Sequence, residues 1–428
     1  MKDSVKKHSK RWILWSLAVF FYLYEYFLRV SPSVMVPEIM QSFKVQAVEV
    51  GALSAAYLYA YALMQLPVGM MMDRFGARKL LSTAALICAA GCAFYGLAPS
   101  FWFLIIGRIL LGVGSAFAFI GMVYICSHWF ERNKIATLIA IGNSFGMIGA
   151  IAGEGPLAIS VLKFGWRSPM VILGIIGILL AIVMIFTLRS DKNSKVEKED
   201  KKKRNTVSVF ENLKSVASNP QSWLIGIGTF LIYSTTTAFA ALWGVPFLQT
   251  NYGMGKDAAS FAISMIFVGW IVGGPIIGKI SDKIQKRRIL LIISSLLGAA
   301  LMSLLIYYSN LPVFALYAVL LLIGIFSSAE NLCYCLVIEH NEEKAKGVAS
   351  SFINFILFLG AAGIPIIVGI FLDSAWKGSV SNGIPVYTPA NYKFALTTFP
   401  ITFVLAAVFF AFVKNTPFAP VRGEEYLD

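Results

Sequence analysis

Glu25 and Arg29 stand four residues apart inside an apolar run that begins at Trp12. At that spacing the two side chains share one face of a helix, a turn apart, with the acid ahead of the base, which is the favourable order. An ionised group near the centre of a bilayer costs at least about 2.5 to 3.5 kcal/mol, so such a pair must face protein or a water-filled cavity. An arginine can hold a carboxylate bidentately, and an acid in a cleft can take a proton that removes the charge opposing closure around it. The stretch therefore reads as one wall of a solute pathway. Arg108, Glu154 and Glu330 pose the same question, since each lies within another apolar run. An arginine cannot shed its proton there, so Arg108 needs an anion, water or backbone carbonyls.

The elements that would carry these residues are long apolar helices. Fifty-eight per cent of the 428 residues are hydrophobic and 14% are charged, and the mean hydropathy is +0.74. Twelve runs, each long enough to cross a hydrocarbon core of about 30 Å, fall at 12–36, 49–72, 79–98, 101–127, 136–161, 168–188, 220–248, 257–279, 289–308, 311–337, 347–372 and 393–413. Their period is that of helices, not the ten-residue alternation of barrel strands. The predicted fold is all-α and membrane-spanning.

A formal net charge of +14 suggests nucleic acid at first, but the positions of the charges point to topology. Of the 36 Lys and Arg, 28 fall in the tails and alternate loops on one side and only six on the other. By the positive-inside rule both termini are then cytoplasmic, and no nucleic-acid partner is expected. The five cysteines all lie in predicted helices, which gives neither a disulfide framework nor a metal site. The histidines His8, His128 and His340 sit at helix ends or in the tail, with no nucleophile and base paired for catalysis. No enzyme, cofactor or metal is expected, and the first run is too long for a signal's apolar region.

Midway, 189–214 is charged and poor in apolar residues, so 189–219 reads as a cytoplasmic linker between a six-helix bundle at 1–188 and another at 220–428. A repeat supports the division. Gly69-Met-Met-Met-Asp73-Arg74-Phe-Gly76-Ala-Arg78-Lys79 returns after 209 residues as Gly278-Lys-Ile-Ser-Asp282-Lys-Ile-Gln285-Lys-Arg-Arg288. Two parallel six-helix halves with a site between them at mid-depth is a plan of secondary transporters.

The first copy resembles the signature loop of the major facilitator superfamily at every position, and the second departs from it where Gln285 replaces a glycine. Arg108 to Gly114 is similar to that family's R-x-x-x-G-x-G signature. Gly149 to Pro156 resembles a degraded form of its antiporter motif, without the closing glycines. Phe164-Gly-Trp-Arg167 resembles a turn of the anion:cation symporter branch, and Arg29, following an aromatic, resembles that branch's carboxylate-binding arginine. The resemblance implies two pseudo-symmetric halves, gating by Asp73, Arg74, Arg78 and Asp282, and proton transfer or substrate contact at Arg108. The second half has no matching arginines, Ala238 and Tyr317 standing at those places.

The expected function is symport of a small, carboxylate-bearing solute with protons by alternating access. Arg29 and Arg108 would supply positive charge, with Tyr22, Tyr26, Tyr233, Thr237, Trp243, Asn331 and Asn354 as further binding groups and Glu25, Glu154 and Glu330 as proton carriers. The helix 7 threonines have an alternative in bonding their own i−4 carbonyls. A monomer in a bacterial inner membrane is expected, with the bilayer, the solute and protons as its only partners. A proton-driven exporter and a non-transporting membrane sensor remain open as alternatives.

Overall fold

The computed structural model describes residues 2–187, 206–308, 310–381 and 384–414. Among these residues twelve helical spans are long and apolar enough to cross a membrane: Arg11–Val34 (α1), Ala47–Gln65 (α2), Arg74–Gly96 (α3), Phe101–Trp129 (α4), Thr137–Phe164 (α5), Arg167–Thr187 (α6), Pro220–Tyr252 (α7), Lys256–Ile284 (α8), Arg287–Tyr307 (α9), Val313–Glu339 (α10), Glu343–Ala375 (α11) and Pro389–Ala411 (α12). The chain is an integral, multi-pass membrane protein. Its outward surface fits that setting, since α6 leaves Ile172, Ile175, Leu179, Ile182 and Phe186 exposed on one side, a face that lipid tolerates and water does not.

From Ala47 the chain stays helical to Gly96 except for a break at Gly76, whose φ of 76° and ψ of 159° belong to a region that is essentially glycine's alone. The signature glycine is thus the turn itself. In the second copy Gln285 takes the left-handed conformation at φ 55° and ψ 27°, so the repeat keeps a turn there without the residue best suited to it.

Spans α1 to α6 pack on one another, α2 through Tyr57 and Ala60 against Gly112 of α4, as do α7, α8, α9, α10, α11 and α12, and the principal contacts between the two sets are α2 with α11 and α5 with α8. The α2–α11 seam is antiparallel. Gly51 lies against the backbone of Pro365, Gly369 against Ala47 and Val48, and a Cβ at either glycine would run into main chain. The Tyr61 ring packs at a tilt against Phe358, 4.3 Å between ring centroids, and Asn354 donates to Gln65 at 2.8 Å.

The seam closes the face opposite the chain termini. There the Asp373 carboxylate accepts from the free N–H groups of Ala47 and Val48 at 3.2 and 2.8 Å, as an acid at a helix N-terminus should. Tyr387, from the loop between α11 and α12, donates to the same carboxylate and accepts from Ala47. Burial and then the Asp373 carboxylate push the Tyr387 phenol above its usual range, which keeps it a donor. Lys256 at the start of α8 pairs with Glu38 beyond α1. The loop between α11 and α12 contributes to closure through Tyr387, and within it a short β-hairpin pairs Val380–Ser381 with Ile384–Pro385.

Candidate functional site

A cavity of about 670 Å³ lies between the two sets of spans, within the usual range for a small-molecule site. It opens toward the face that carries the termini, since its wall includes Asn143 and Ser144 early in α5 and Ser350 and Ser351 in the first turns of α11. Tyr22 and Tyr26 of α1, Gln65 of α2, Tyr233 of α7, Trp270 of α8, Glu330, Asn331 and Tyr334 of α10, and Asn354 of α11 all line it.

Behind the aromatic wall sits the ion pair that the i, i+4 spacing predicts. Arg29 donates to Glu25 Oε1 from Nη2 at 2.5 Å and from Nε at 2.9 Å. Tyr57 donates to the same oxygen at 2.6 Å. Arg29 then reaches across to α7, where Nη1 donates to the Tyr233 hydroxyl at 3.1 Å. Its guanidinium carbon lies 4.3 Å from the ring centroid of Tyr26, 4.9 Å from that of Tyr61 and 5.2 Å from that of Phe358, so the charge is sandwiched between rings of both sets of spans. Glu25 is 0% and Arg29 5% exposed. The Oε2 atom of Glu25 has no hydrogen-bond partner.

Arg108 has a different place. Its Nη1 donates to the Leu28 carbonyl at 3.0 Å and its Nη2 to the Arg29 carbonyl at 3.3 Å. The Leu28 carbonyl lacks its usual helical donor because the residue four positions on is Pro32, which has no N–H. Arg108 and the Ser31 hydroxyl, which donates to the same oxygen at 3.0 Å, thus replace the donor that the proline removed, and the Arg108 guanidinium lies 4.5 Å from the Tyr57 ring centroid. With Glu25 balancing Arg29, the charge of Arg108 leaves this buried centre net positive.

The predicted residues divide clearly. Tyr22, Tyr26, Tyr233, Asn331, Asn354 and Glu330 meet on the cavity wall, and the Oε1 atom of Glu330 has no partner. Glu25 and Arg29 lie one layer behind it. Four others lie outside the wall. Arg108 holds backbone, and Glu154 lies fully buried between α1 and α5, accepting from Ser33 at 2.7 Å. Thr237 donates to the Tyr233 carbonyl one turn back at 3.3 Å, and Trp243 donates to the Pro365 carbonyl at 3.3 Å, in the closed face. Among the gating candidates, Asp282 pairs with Arg287 at 4.0 Å, Arg287 bonds Glu339 at 3.1 Å, and Arg74 lies 5.2 Å from the ring centroid of its neighbour Phe75. Arg78 is half-buried, and the Asp73 side chain lies outside the described residues.

Sequence reasoning missed Tyr57, Tyr61 and Gln65. Their recurrence every four residues along α2 is the stripe that turns to Glu25, Arg29 and the cavity. It also missed Asn143 and Trp270, which carry no such pattern; Trp270 Nε1 donates to Thr236 at 3.1 Å. Among the described residues no group of three or more His, Cys, Asp or Glu could hold a metal.

The family model of the Major Facilitator Superfamily matches this sequence over residues 15–365 and 225–425. The "Probable L-galactonate transporter" of Escherichia coli (strain K12) is 24% identical over 364 residues, 82% of this chain and 80% of that one. The "Probable galactarate/D-glucarate transporter GudP" of Bacillus subtilis (strain 168) is 24% identical over 426 residues, 92% of each chain. Among solved structures, a bacterial homolog of the human lysosomal transporter Spinster, inward-facing and occupied, superposes with a TM-score of 0.73 at 16% identity over 94% of this chain and 96% of that one. At that identity the likeness shows the fold alone.

Proposed function

From the premise that the chain belongs to the Major Facilitator Superfamily, we propose that it is a proton-coupled symporter carrying a small, carboxylate-bearing solute by alternating access. Two six-helix halves, 1–188 and 220–428, joined through 189–219, rock about the cavity, with both termini in the cytoplasm of a bacterial cell and the single chain as the working unit. The described state, closed at the face opposite the termini, is then the inward-open one.

The observation that carries this reading is the Glu25–Arg29 pair, buried where the two sets of spans meet and held across to α7 by Tyr233. While Glu25 is ionised it occupies the Nε and Nη2 donors that a solute carboxylate would use. A proton on Glu25 removes that competitor and leaves Arg29 free to bind the solute; loss of the proton restores the pair and expels it. Proton and solute are thereby loaded and released together. Glu330, on the cavity wall with an unpartnered oxygen, is the further proton carrier nearest to bulk water, and Glu154 is the more remote one. Asp73, Arg74, Arg78 and Asp282 would gate the cytoplasmic ends. The acid solutes in the names of the two relatives agree with a carboxylate cargo.

Purified protein in sealed vesicles, given a proton gradient directed inward, is expected to accumulate a labelled carboxylate solute above its outside concentration. Depletion instead would make it the exporter, and indifference to the gradient would remove proton coupling.

A further inference from the structure

The polar wall of the cavity contains one buried donor with nothing to bond. Gln65 is 6% exposed, its Oε1 is taken by Asn354 Nδ2 at 2.8 Å, and Asn354 Oδ1 is taken in turn by the Tyr334 hydroxyl at 2.9 Å. The chain of bonds fixes the Gln65 carboxamide with its Nε2 left over, and that atom is buried without a partner. A buried, unsatisfied donor is costly, and the cost is recovered when an acceptor arrives. Gln65 lines the cavity, so a solute there is within its reach.

The position of the donor restricts what it can take. Gln65 follows Tyr61 by four residues on α2, a rise of about 6 Å, and the Tyr61 ring lies 4.9 Å from the Arg29 guanidinium. A solute whose carboxylate lies at Arg29 therefore presents to Gln65 an atom some carbons further along its chain. Charge is already answered at Arg29, and a carboxamide N–H suits a neutral oxygen.

Resting on the carboxylate-symport reading, we propose that Gln65 is a specificity-determining residue: its Nε2 selects carboxylates that carry a hydroxyl on the part of the chain distant from the carboxyl group. Asn354 and Tyr334 are positioning residues that hold the amide in that orientation across the cleft. A site built to bond a hydroxyl rejects the analogue that lacks it, because the donor is then left unpaired.

The test uses the full chain and two six-carbon probes, D-gluconate and hexanoate, with equilibrium binding measured for each. The wild type is expected to favour gluconate, and Gln65→Met, which keeps length and helix preference, to lower the gluconate-to-hexanoate affinity ratio by about tenfold or more. Singly deoxygenated gluconates tested on the wild type need no variant to fold: affinity should fall on removal of a hydroxyl distant from the carboxyl group, and fall less at the neighbouring carbon. An unchanged ratio in Gln65→Met, or a loss centred on the hydroxyl beside the carboxylate, overturns the assignment of Gln65 while leaving carboxylate transport standing. Failure of the wild type to bind either probe overturns the carboxylate reading and this inference with it.

Discussion

Glu25→Gln distinguishes a working ion pair from an inert one. Glu25 Oε1 collects three donors, two from Arg29 and one from Tyr57, at 2.5 to 2.9 Å, and both members of the pair are buried. Breaking a buried pair by removing one charge typically costs about 3 to 5 kcal/mol, because the survivor is left uncompensated. Glutamine keeps an acceptor oxygen for Arg29, so the lower figure, about 3 kcal/mol, applies; against a total stability of about 5 to 15 kcal/mol that is a large loss. The same argument makes the solute a remedy. A carboxylate at Arg29 supplies the missing anion, so the variant should bind it tighter than the wild type by up to the same energy, roughly 100-fold in Kd. Thermal unfolding of the purified variant should start lower and recover more on titration with a carboxylate. In vesicles it should still exchange solute down a gradient but no longer accumulate it against one. A variant that unfolds with the wild type, gains no extra protection and still concentrates solute would refute the reasoning.

Removing Arg29 and removing Arg108 should separate binding from support: Arg29→Gln is expected to weaken carboxylate binding by about 100-fold or more, whereas Arg108→Met loses bonds to two carbonyls and should lower stability while changing affinity less than about tenfold. Equilibrium binding and unfolding on the same preparations decide it. Asp373→Ala removes the acceptor for two helix N–H groups, worth about 1 kcal/mol as a cap and up to about 1 more through the helix dipole. Spin labels at Lys44 and Lys377 should then report a larger population with the seam open. Gly76→Ala forces a side chain into glycine's region of backbone space and should cost about 1 to 3 kcal/mol, while Gln285→Gly relieves the left-handed residue and should stabilise by up to about 1 kcal/mol, both read from unfolding midpoints.

The spans were legible because lipid imposes one rule along their whole length: apolar and helical for about 20 residues, with charge in the breaks. The fourth run, expected at 101–127, is Phe101–Trp129. The Glu25–Arg29 contact was legible for a local reason, since i, i+4 geometry needs no knowledge of the rest of the chain. Arg108 was not, because its partners are set by how α4 crosses α1 and by a proline four residues beyond the carbonyl it holds. Thr237 and Trp243 lie off the cavity wall for a subtler cause. Residues Thr235–Trp243 form a π-helix, whose wider turn advances fewer degrees per residue than an α-helix, so a face counted at 3.6 residues per turn from Tyr233 drifts off the cavity. Tyr57, Tyr61 and Gln65 were visible as a stripe, but a stripe alone does not say whether it meets lipid, protein or solute.

The site and the closed seam are not remote from each other, and this bears on how solute could move the halves. A ligand shifts a conformational equilibrium only by its differential free energy between the two states. Here the group that would hold the carboxylate already touches the seam. The Arg29 guanidinium lies against Tyr61 and Phe358, one from α2 and one from α11, and those rings pack against each other where the seam meets the cavity. A buried cation over an aromatic face contributes about 0.5 to 2 kcal/mol, so a solute that draws Arg29 away weakens the inner end of the seam by that order. It also releases Tyr233, the direct bond from Arg29 to α7. The change demanded of the solute is thus a few kcal/mol applied at the hinge of the closed face, which a single charged contact can supply without any relay through the protein.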